Sequence, residues 1–366
     1  MRQFTLIALA VGLLLGILSV GVFFESANAQ TRERQAQPSP SPTPSAAATP
    51  PLISEETEIE TVETELVNLN VRVVDRNNRP ISNLQRTEFT VLEDNIPQKI
   101  EFFSKNEVPT NYSLVIDNSG SLRSQIEQVI EASKILVSAN RPDDETSVIR
   151  FVSSDKIEIL QDFTSNKQDL FDALDNQYID GGQTAIIDAV YLAADRVTQY
   201  EKKNPTSDRT RRALILVSDG EDRTSYYTQQ QLFELLRETD VQIYVVGFVN
   251  DLEKSGGFIG KSKQGKAKAF LEKLASETGG RAYFPNSLPE LNGIAKEIAN
   301  ELRIQYSIGY LPTNDRQDGT FRNIKVTVAD GPSKEKRIAV TRAGRTADPG
   351  GAAPAKLAPV TKTPGN

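Results

Sequence analysis

A short apolar strand that ends in three oxygen-bearing side chains constrains the fold of this chain more than any other segment. Ser113–Ile116 is mostly apolar, and Asp117, Ser119 and Ser121 follow it at alternate positions. A short apolar run bounded by turn residues fits a strand buried on both faces of a parallel sheet. Residues two apart in extended chain point the same way, so these three side chains are expected to converge just beyond the strand. Ligands bind there in open α/β sheets.

Two later segments place oxygen side chains in the same kind of position. Gly181–Thr184 (G-G-Q-T) precedes a helical stretch, and Leu214–Val217 runs into Ser218–Gly220 (S-D-G). Taken singly, such Asp, Ser and Thr residues are common in turns and helix caps. One carboxylate with two hydroxyls at the end of the first strand is, however, an oxygen-only cluster of the type that suits magnesium, calcium or manganese.

The three motifs D-x-S-x-S, G-G-x-T and S-D-G, in this order, resemble the von Willebrand factor type A domain with its metal-ion-dependent adhesion site. The positions expected in that family are all matched, by Asp117, Ser119, Ser121, Thr184 and Asp219. The resemblance implies a bound Mg²⁺, with Ca²⁺ and Mn²⁺ as alternatives. It also implies that the hydroxyls bind the ion directly, that the aspartates act through water, and that a partner's carboxylate completes the coordination.

Charge and composition exclude several classes of function. The net charge is -7 and the pI is about 5.1, which argues against nucleic acid as the main partner. The sequence contains no Cys and no His. Disulfides, thiol nucleophiles, Ser–His catalysis and the usual zinc ligands are therefore excluded.

The N-terminal residues 1–29 have the pattern of an export signal. Arg2 is followed by the uncharged, apolar run Phe4–Phe24, and Ala27–Ala29 fits a small-x-small cleavage site. We expect cleavage after Ala29, with an uncleaved membrane anchor at residues 4–24 as the alternative, because the run is near the ~20 residues that span a bilayer. Either way the chain is expected in the periplasm or cell envelope, or secreted.

The remaining sequence predicts a domain inserted in a second one. Residues 109–302 alternate strands and helices, which predicts an α/β fold with a doubly wound, mostly parallel sheet. Residues 56–108 and 303–344 have β patterning and are expected to form one small antiparallel β-sandwich from both flanks. These flanks also resemble the bacterial von Willebrand factor A-related group. A Pro/Ser-rich linker at residues 30–55 and a tail at residues 345–366 are disordered by composition.

These observations predict an exported, metal-dependent adhesion or assembly module that binds a protein with an exposed Asp or Glu, and not an enzyme. Two alternatives remain open. One is a phosphoesterase-like hydrolase that uses a metal-activated water with Asp117 or Glu221 as base. The other is a structural envelope protein whose metal only stabilises the fold. Asp188, four residues after Thr184, is expected to be an exposed helical residue, with support of the metal ligands as the alternative.

Overall fold

The computed structural model describes residues 66–105, 107–203, 210–250, 252, 262–332 and 334–347. The predicted export signal, the Pro/Ser-rich linker and most of the predicted C-terminal tail lie outside these described residues. None of the helices in the described part of the chain has the length and apolar character needed to cross a membrane.

The flank before the central domain forms short strands because apolar and polar residues alternate along it. The described residues of this flank contain β1 (Val67–Val74), β2 (Phe89–Glu93), β3 (Ile96–Gln98) and β4 (Ile100–Ser104). In β1 the alternation buries Val67, Leu69, Val71 and Val73 on one face. This strand has the period of two that a half-buried sheet requires.

A six-stranded sheet forms the centre of the molecule. Its strands, among the described residues, are β5 (Thr110–Asp117), β6 (Glu145–Phe151), β7 (Ile157–Thr164), β8 (Arg211–Ser218), β9 (Val241–Gly247) and β10 (Ala282–Tyr283). Their order is β10-β9-β8-β5-β6-β7, and all neighbours run parallel except the edge strand β7. Every residue of β5 is buried, because helices cover both faces of the sheet.

Helices pack on both faces of this sheet. Within the described residues they are α1 (Ile126–Ser138), α2 (Lys167–Asp175), α3 (Ile186–Lys203), α4 (Gln229–Glu238), α5 (Lys263–Glu277) and α6 (Glu290–Arg303). The helices α1, α2 and α6 share one apolar core with the sheet, and α3, α4 and α5 share the other. The predicted α/β, doubly wound architecture is confirmed.

The strands after α6 complete a β-sandwich with the strands before β5. The described residues contain β11 (Tyr306–Tyr310), β12 (Phe321–Val328), β13 (Ile338–Val340) and β14 (Gly344–Thr346). Two antiparallel sheets result, with the orders β13-β1-β11-β4 and β14-β12-β2-β3, and each contains strands from both flanks. They enclose one apolar core that includes Val91, Tyr306 and Val326. The predicted sandwich formed by both flanks is therefore confirmed.

One predicted boundary is wrong. The disordered tail was expected to begin at residue 345. Instead, Arg345 lies in β14 and pairs with Arg322 of the antiparallel strand β12. Its guanidinium also forms an ion pair of 3.0 Å with the buried carboxylate of Glu93. The polar composition after residue 344 indicated a tail. The buried carboxylate of Glu93, on the distant strand β2, instead binds Arg345 and holds β14 in the sheet.

Polar side chains join the sandwich to the end of α6. Nη1 of Arg72, on β1, lies 3.1 Å from Oε1 of Glu301, and both side chains are buried. Arg211, at the start of β8, donates hydrogen bonds to the carbonyl oxygens of Leu302 (3.1 Å) and Gln305 (3.0 Å). The bond to Leu302 satisfies a carbonyl group that α6 leaves unpaired at its C-terminus, and the bond to Gln305 fixes the segment that leads from α6 to β11.

Candidate metal centre

The carboxyl end of β5 positions Asp117 at the edge of the sheet where ligands bind in open α/β folds. Its side chain is fully buried. Oδ1 accepts the backbone N–H of Ser119 (2.8 Å), and Oδ2 accepts the hydroxyl of Ser218 (2.7 Å). Burial raises the pKa of the Asp117 carboxyl to about 6. The nearby charge of Asp219 also raises this pKa, whereas the hydrogen bonds from Ser119 and Ser218 lower it.

The two serines of the first motif lie side by side after β5. Ser119 is buried and Ser121 is exposed, and their hydroxyl oxygens are 2.8 Å apart. A 3₁₀ turn at Gly120–Leu122 brings them together by reversing the chain immediately after the strand. The turn therefore places the hydroxyl groups of two serines, which are separated by one residue in sequence, next to each other.

The segment that carries Thr184 is held against the end of β5 by Asn118. The side-chain amide of Asn118 donates to the carbonyl oxygen of Tyr178 (2.5 Å). Gly182 has a φ of +106°, and a Cβ at this position would lie 2.8 Å from Cγ1 of Val152. Glycine is thus required for both the backbone conformation and the close approach. The Thr184 side chain that follows is buried.

Asp219 follows β8, the neighbour of β5, and is buried as well. Its Oδ1 accepts the N–H of Glu221 (2.9 Å), and Gly220 turns the chain with a φ of +81°. The chain then returns to the second motif, where the carbonyl oxygen of Thr184 accepts the N–H of Arg223 (2.8 Å). Three segments distant in sequence are therefore joined by hydrogen bonds at one edge of the sheet.

The donor set has the chemistry of a small, hard cation site. It consists of two carboxylates and three hydroxyls. Elsewhere in the described residues, no cluster of three or more His, Cys, Asp or Glu side chains could hold a metal. Adjacent ligands of octahedral Mg²⁺, with metal–oxygen distances of ~2.1 Å, lie about 3 Å apart. The separation of 2.8 Å between the hydroxyl oxygens of Ser119 and Ser121 is close to this value. The residues present therefore fit Mg²⁺; metal binding by them stays a prediction.

A comparison with known families identifies the central domain. The sequence model described as the von Willebrand factor type A domain (VWA) matches residues 113–297, half of the chain. The chain belongs to the VWA family. This match covers the strand end at Asp117 and the segments of Thr184 and Asp219. VWA domains are commonly metal-dependent protein-interaction modules.

Solved structures with a similar fold come from several organisms. An aerotolerance-related membrane protein from Bacteroides fragilis is 19% identical, with 53% of this chain and 98% of that chain covered and a TM-score of 0.41. BatB from Bacteroides thetaiotaomicron is 18% identical, with 52% and 98% covered and a TM-score of 0.40. Proximal thread matrix protein 1 from the mussel byssus is described with zinc in its metal-ion-dependent adhesion site (MIDAS) motif. It is 17% identical, with 54% of this chain and 48% of that chain covered and a TM-score of 0.42. No curated protein matches the chain.

Sequence reasoning missed two residues of this VWA site. Ser218 was identified only as part of S-D-G, although its hydroxyl donates to Asp117 and accepts the N–H of Gly220 (3.1 Å). The expectation for Asp188 is wrong, since its side chain is buried. Its carboxylate accepts the backbone N–H groups of Tyr226 and Tyr227, both at 2.8 Å. The spacing of four residues from Thr184 was the available signal.

Proposed function

We propose that this chain is an exported protein whose VWA domain binds a partner protein through a divalent cation, with the partner supplying an Asp or Glu carboxylate. The observation that carries the proposal lies at the carboxyl edge of the sheet, where the buried carboxylate of Asp117 senses the charge of Asp219 and is followed by the paired hydroxyls of Ser119 and Ser121. The backbone of Thr184 is hydrogen-bonded to the loop that follows Asp219. Family membership supports it, because VWA domains generally act in adhesion or assembly and not in catalysis.

The proposed roles of the five residues follow the resemblance to the VWA family. Ser119, Ser121 and Thr184 are proposed as direct ligands, and Asp117 and Asp219 are proposed to act through water. The hydrogen bonds that both oxygens of Asp117 accept from Ser119 and Ser218 are compatible with this indirect role. Neutral hydroxyls leave most of the ion's charge uncompensated in the direction of solvent. A bound Mg²⁺ would therefore attract a carboxylate from a partner.

A hydrolytic function has less support. Protonation of Asp117 would weaken the hydrogen bonds that its carboxylate accepts from Ser119 (2.8 Å) and Ser218 (2.7 Å). Glu221, the other candidate base, forms an ion pair with Arg223. Each candidate base is therefore already engaged with a protein group, and we propose no enzymatic activity.

We further propose export, on the basis of the N-terminal sequence. The apolar run Phe4–Phe24 and the small residues Ala27–Ala29 support either a cleaved signal peptide or a membrane anchor. The Pro/Ser-rich stretch that follows would act as an extended spacer between that segment and the folded domains. A partner in the periplasm, in the cell envelope or outside the cell fits this arrangement.

The metal assignment is tested by titration calorimetry with Mg²⁺ on the wild type, Ser121→Ala and Ser124→Ala. Both serines are exposed, so neither change should affect folding, but only Ser121 belongs to the donor set. We expect one Mg²⁺ per wild-type chain, at least about 10-fold weaker binding in Ser121→Ala and no change in Ser124→Ala. Equal affinities in all three proteins would contradict the assignment.

Partner binding is tested by a pull-down from the native envelope with the wild type and Ser121→Ala, each with and without chelator. We expect a partner that the wild type retains only with the cation and that Ser121→Ala does not retain. A purely structural metal predicts a different result. Chelation would then lower the melting temperature without removing any partner.

A further inference from the structure

A tyrosine projects into solvent from the loop that joins β8 to α4. Tyr226, in this 219–228 loop, is 80% exposed, the highest value among the exposed large hydrophobic residues of the described chain. Scattered exposed apolar residues are ordinary on protein surfaces. Tyr226 differs from them because the backbone that carries it is fixed by an extensive set of hydrogen bonds.

The 219–228 loop and the start of α3 each donate hydrogen bonds to the other. Asp188 accepts the N–H of Tyr226 at 2.8 Å, and its own N–H donates to the hydroxyl of Ser225 (3.2 Å). Asp222 accepts the N–H of Ile187 (3.2 Å) and the Ser225 hydroxyl (2.5 Å). These reciprocal bonds hold a segment without regular secondary structure in one conformation.

A third set of hydrogen bonds joins the same loop to the motif segment. The carbonyl oxygen of Thr184 accepts the N–H groups of Arg223 (2.8 Å) and Thr224 (3.2 Å). The Thr224 hydroxyl donates to the carbonyl oxygen of Gln183 (3.1 Å). The loop that carries the exposed tyrosine is therefore continuous with the candidate metal centre.

Within the described residues, the aromatic ring of Tyr226 packs against the ring of one neighbouring tyrosine. It lies edge-on to the ring of Tyr227, with centroids 5.5 Å apart and an interplanar angle of 86°. Tyr227 in turn stacks on Tyr191 at 3.9 Å and 8°. The supported side gives the ring a stable base, and the exposed side is free to contact a bound molecule.

Another exposed tyrosine near the site is already engaged. Tyr178, 53% exposed, accepts a hydrogen bond of 2.6 Å from Arg150 at its hydroxyl. The same guanidinium lies 4.1 Å from the centre of its ring. Of the two tyrosines, Tyr226 is therefore the one whose ring is available to a partner.

The distance from the metal centre to Tyr226 can be bounded from the helix. Asp188, which holds the Tyr226 backbone, lies four residues after Thr184, and α3 begins at Ile186. Two helical steps of ~1.5 Å and two earlier steps of at most ~3.3 Å place the backbones of Thr184 and Asp188 at most about 10 Å apart. The tyrosine side chain extends several ångströms from its own backbone. An extended peptide advances ~3.3 Å per residue, so roughly 7–13 Å corresponds to two to four residues.

We propose that Tyr226 is a specificity-determining contact of the metal site, an inference that rests on the proposed function. It packs against an apolar or aromatic side chain located two to four residues from the partner carboxylate that binds the ion. Tyrosine suits this role because it supplies a large contact area with only two side-chain torsions to order. Its fixed backbone lowers the cost of binding further, and such rigid aromatic residues dominate binding energy at interfaces.

The probe is a library of random 12-residue peptides displayed on phage. The full chain is immobilised with Mg²⁺, and bound phage are eluted with chelator. We expect the eluted peptides to be enriched in Asp or Glu, with an apolar or aromatic residue two to four positions away. Three variants are then compared with the wild type: Tyr226→Ser removes the ring, Tyr226→Phe keeps it, and Ile159→Ser changes an exposed apolar residue (43% exposed) on the edge strand β7.

A synthetic copy of a selected peptide should bind Tyr226→Ser about 10-fold more weakly than the wild type, whereas Tyr226→Phe and Ile159→Ser should bind as the wild type does. The Mg²⁺ affinity and melting temperature of Tyr226→Ser should not change, because the ring contributes little to folding. Carboxylate enrichment without an apolar neighbour, or equal peptide affinity in Tyr226→Ser, would overturn this inference and leave the proposed function intact. Absence of any chelator-dependent carboxylate enrichment would overturn the proposed function, and this inference with it.

Discussion

The hydroxyl of Ser218 donates a hydrogen bond of 2.7 Å to Oδ2 of Asp117, and thereby joins the ends of two adjacent strands of the central sheet. The two residues are 101 positions apart in sequence. The parallel register of β5 with β8, which pairs Ile116 with Val217, brings them together. Ser218 thus fixes the orientation of a carboxylate that we propose to act on the metal through water.

Ser218→Ala should weaken Mg²⁺ binding although Ser218 is not a proposed ligand. Loss of a group that orients a metal-site residue typically lowers affinity about 10–100-fold. The metal-free protein should also lose roughly 1.5–3 kcal/mol, the range for a hydrogen bond to a charged group. Calorimetry and urea unfolding measure the two effects. Ser276→Ala, which changes an exposed serine at the end of α5, is the control, and identical results for the two variants would contradict the role of Ser218.

Without metal, stability should depend on the ionisation of Asp117. The folded-state pKa is raised from 3.8 to about 6, so the folded protein favours the protonated carboxyl. This contribution to stability is complete below the ordinary pKa and is lost as the pH rises through 6. Between pH 5 and pH 7 the loss amounts to about 1 kcal/mol.

Urea unfolding in chelator at a series of pH values measures this dependence. Asp117→Asn is the control, because its amide does not titrate and the contribution should be absent. Saturating Mg²⁺ should reduce the loss in the wild type, since the cation favours the ionised carboxylate. The same pH dependence in the wild type and Asp117→Asn would show that another group is responsible.

Local sequence patterns were sufficient to predict the fold and the strand end that carries Asp117. The alternation in β1 and the apolar run before Asp117 each determine a strand within a few residues of chain, so they can be recognised without knowledge of distant contacts. The positions of Ser119 and Ser121 follow from the same strand end. These features were predicted correctly because neighbouring residues dictate them.

Features that depend on distant segments were not predicted. Asp188 is buried because the 219–228 loop covers it, and that loop lies more than thirty residues later in the chain. Arg345 belongs to a strand because Glu93, 252 positions away, supplies a buried counter-charge. Nothing in the local sequence distinguishes Arg345 from an exposed polar residue, and for Asp188 the signal was its spacing of four residues from Thr184. Such roles become visible only when the pairing of the strands is known.

The buried pair of Arg72 and Glu301 should be a strong link between the sandwich and the VWA domain. Their side chains are 4% and 0% exposed. Glu301→Gln leaves the Arg72 guanidinium buried without its counter-charge, which typically costs 3–5 kcal/mol. The double variant Arg72→Met/Glu301→Met should be less destabilised than Glu301→Gln, because the Arg72 charge is removed with its partner. Arg281, which also lies 3.1 Å from Glu301, keeps its ion pair with Glu297 in both variants.

An ion pair with an exposed carboxylate provides the control for this experiment. Arg150 and Glu158 are separated by 2.6 Å, but the Glu158 side chain is 51% exposed. Glu158→Gln should therefore cost less than about 1 kcal/mol in urea unfolding. Similar losses in Glu301→Gln and Glu158→Gln would mean that the buried pair contributes no more than an ordinary surface contact.

Asp188 should determine whether the 219–228 loop keeps a single conformation. Asp188→Ala removes the acceptor of two backbone N–H groups, those of Tyr226 and Tyr227, and should cost about 1–3 kcal/mol. Hydrogen exchange measured by mass spectrometry should accelerate in the loop but not in β5 or β8. Asp195→Ala, two turns further along the same helix, should leave the exchange of the loop unchanged, because the hydrogen bond that Asp195 accepts among the described residues comes from Gln199 of the same helix. If the loop exchanges at the wild-type rate in Asp188→Ala, the other hydrogen bonds are sufficient to order it, and the rigidity of Tyr226 does not depend on this carboxylate.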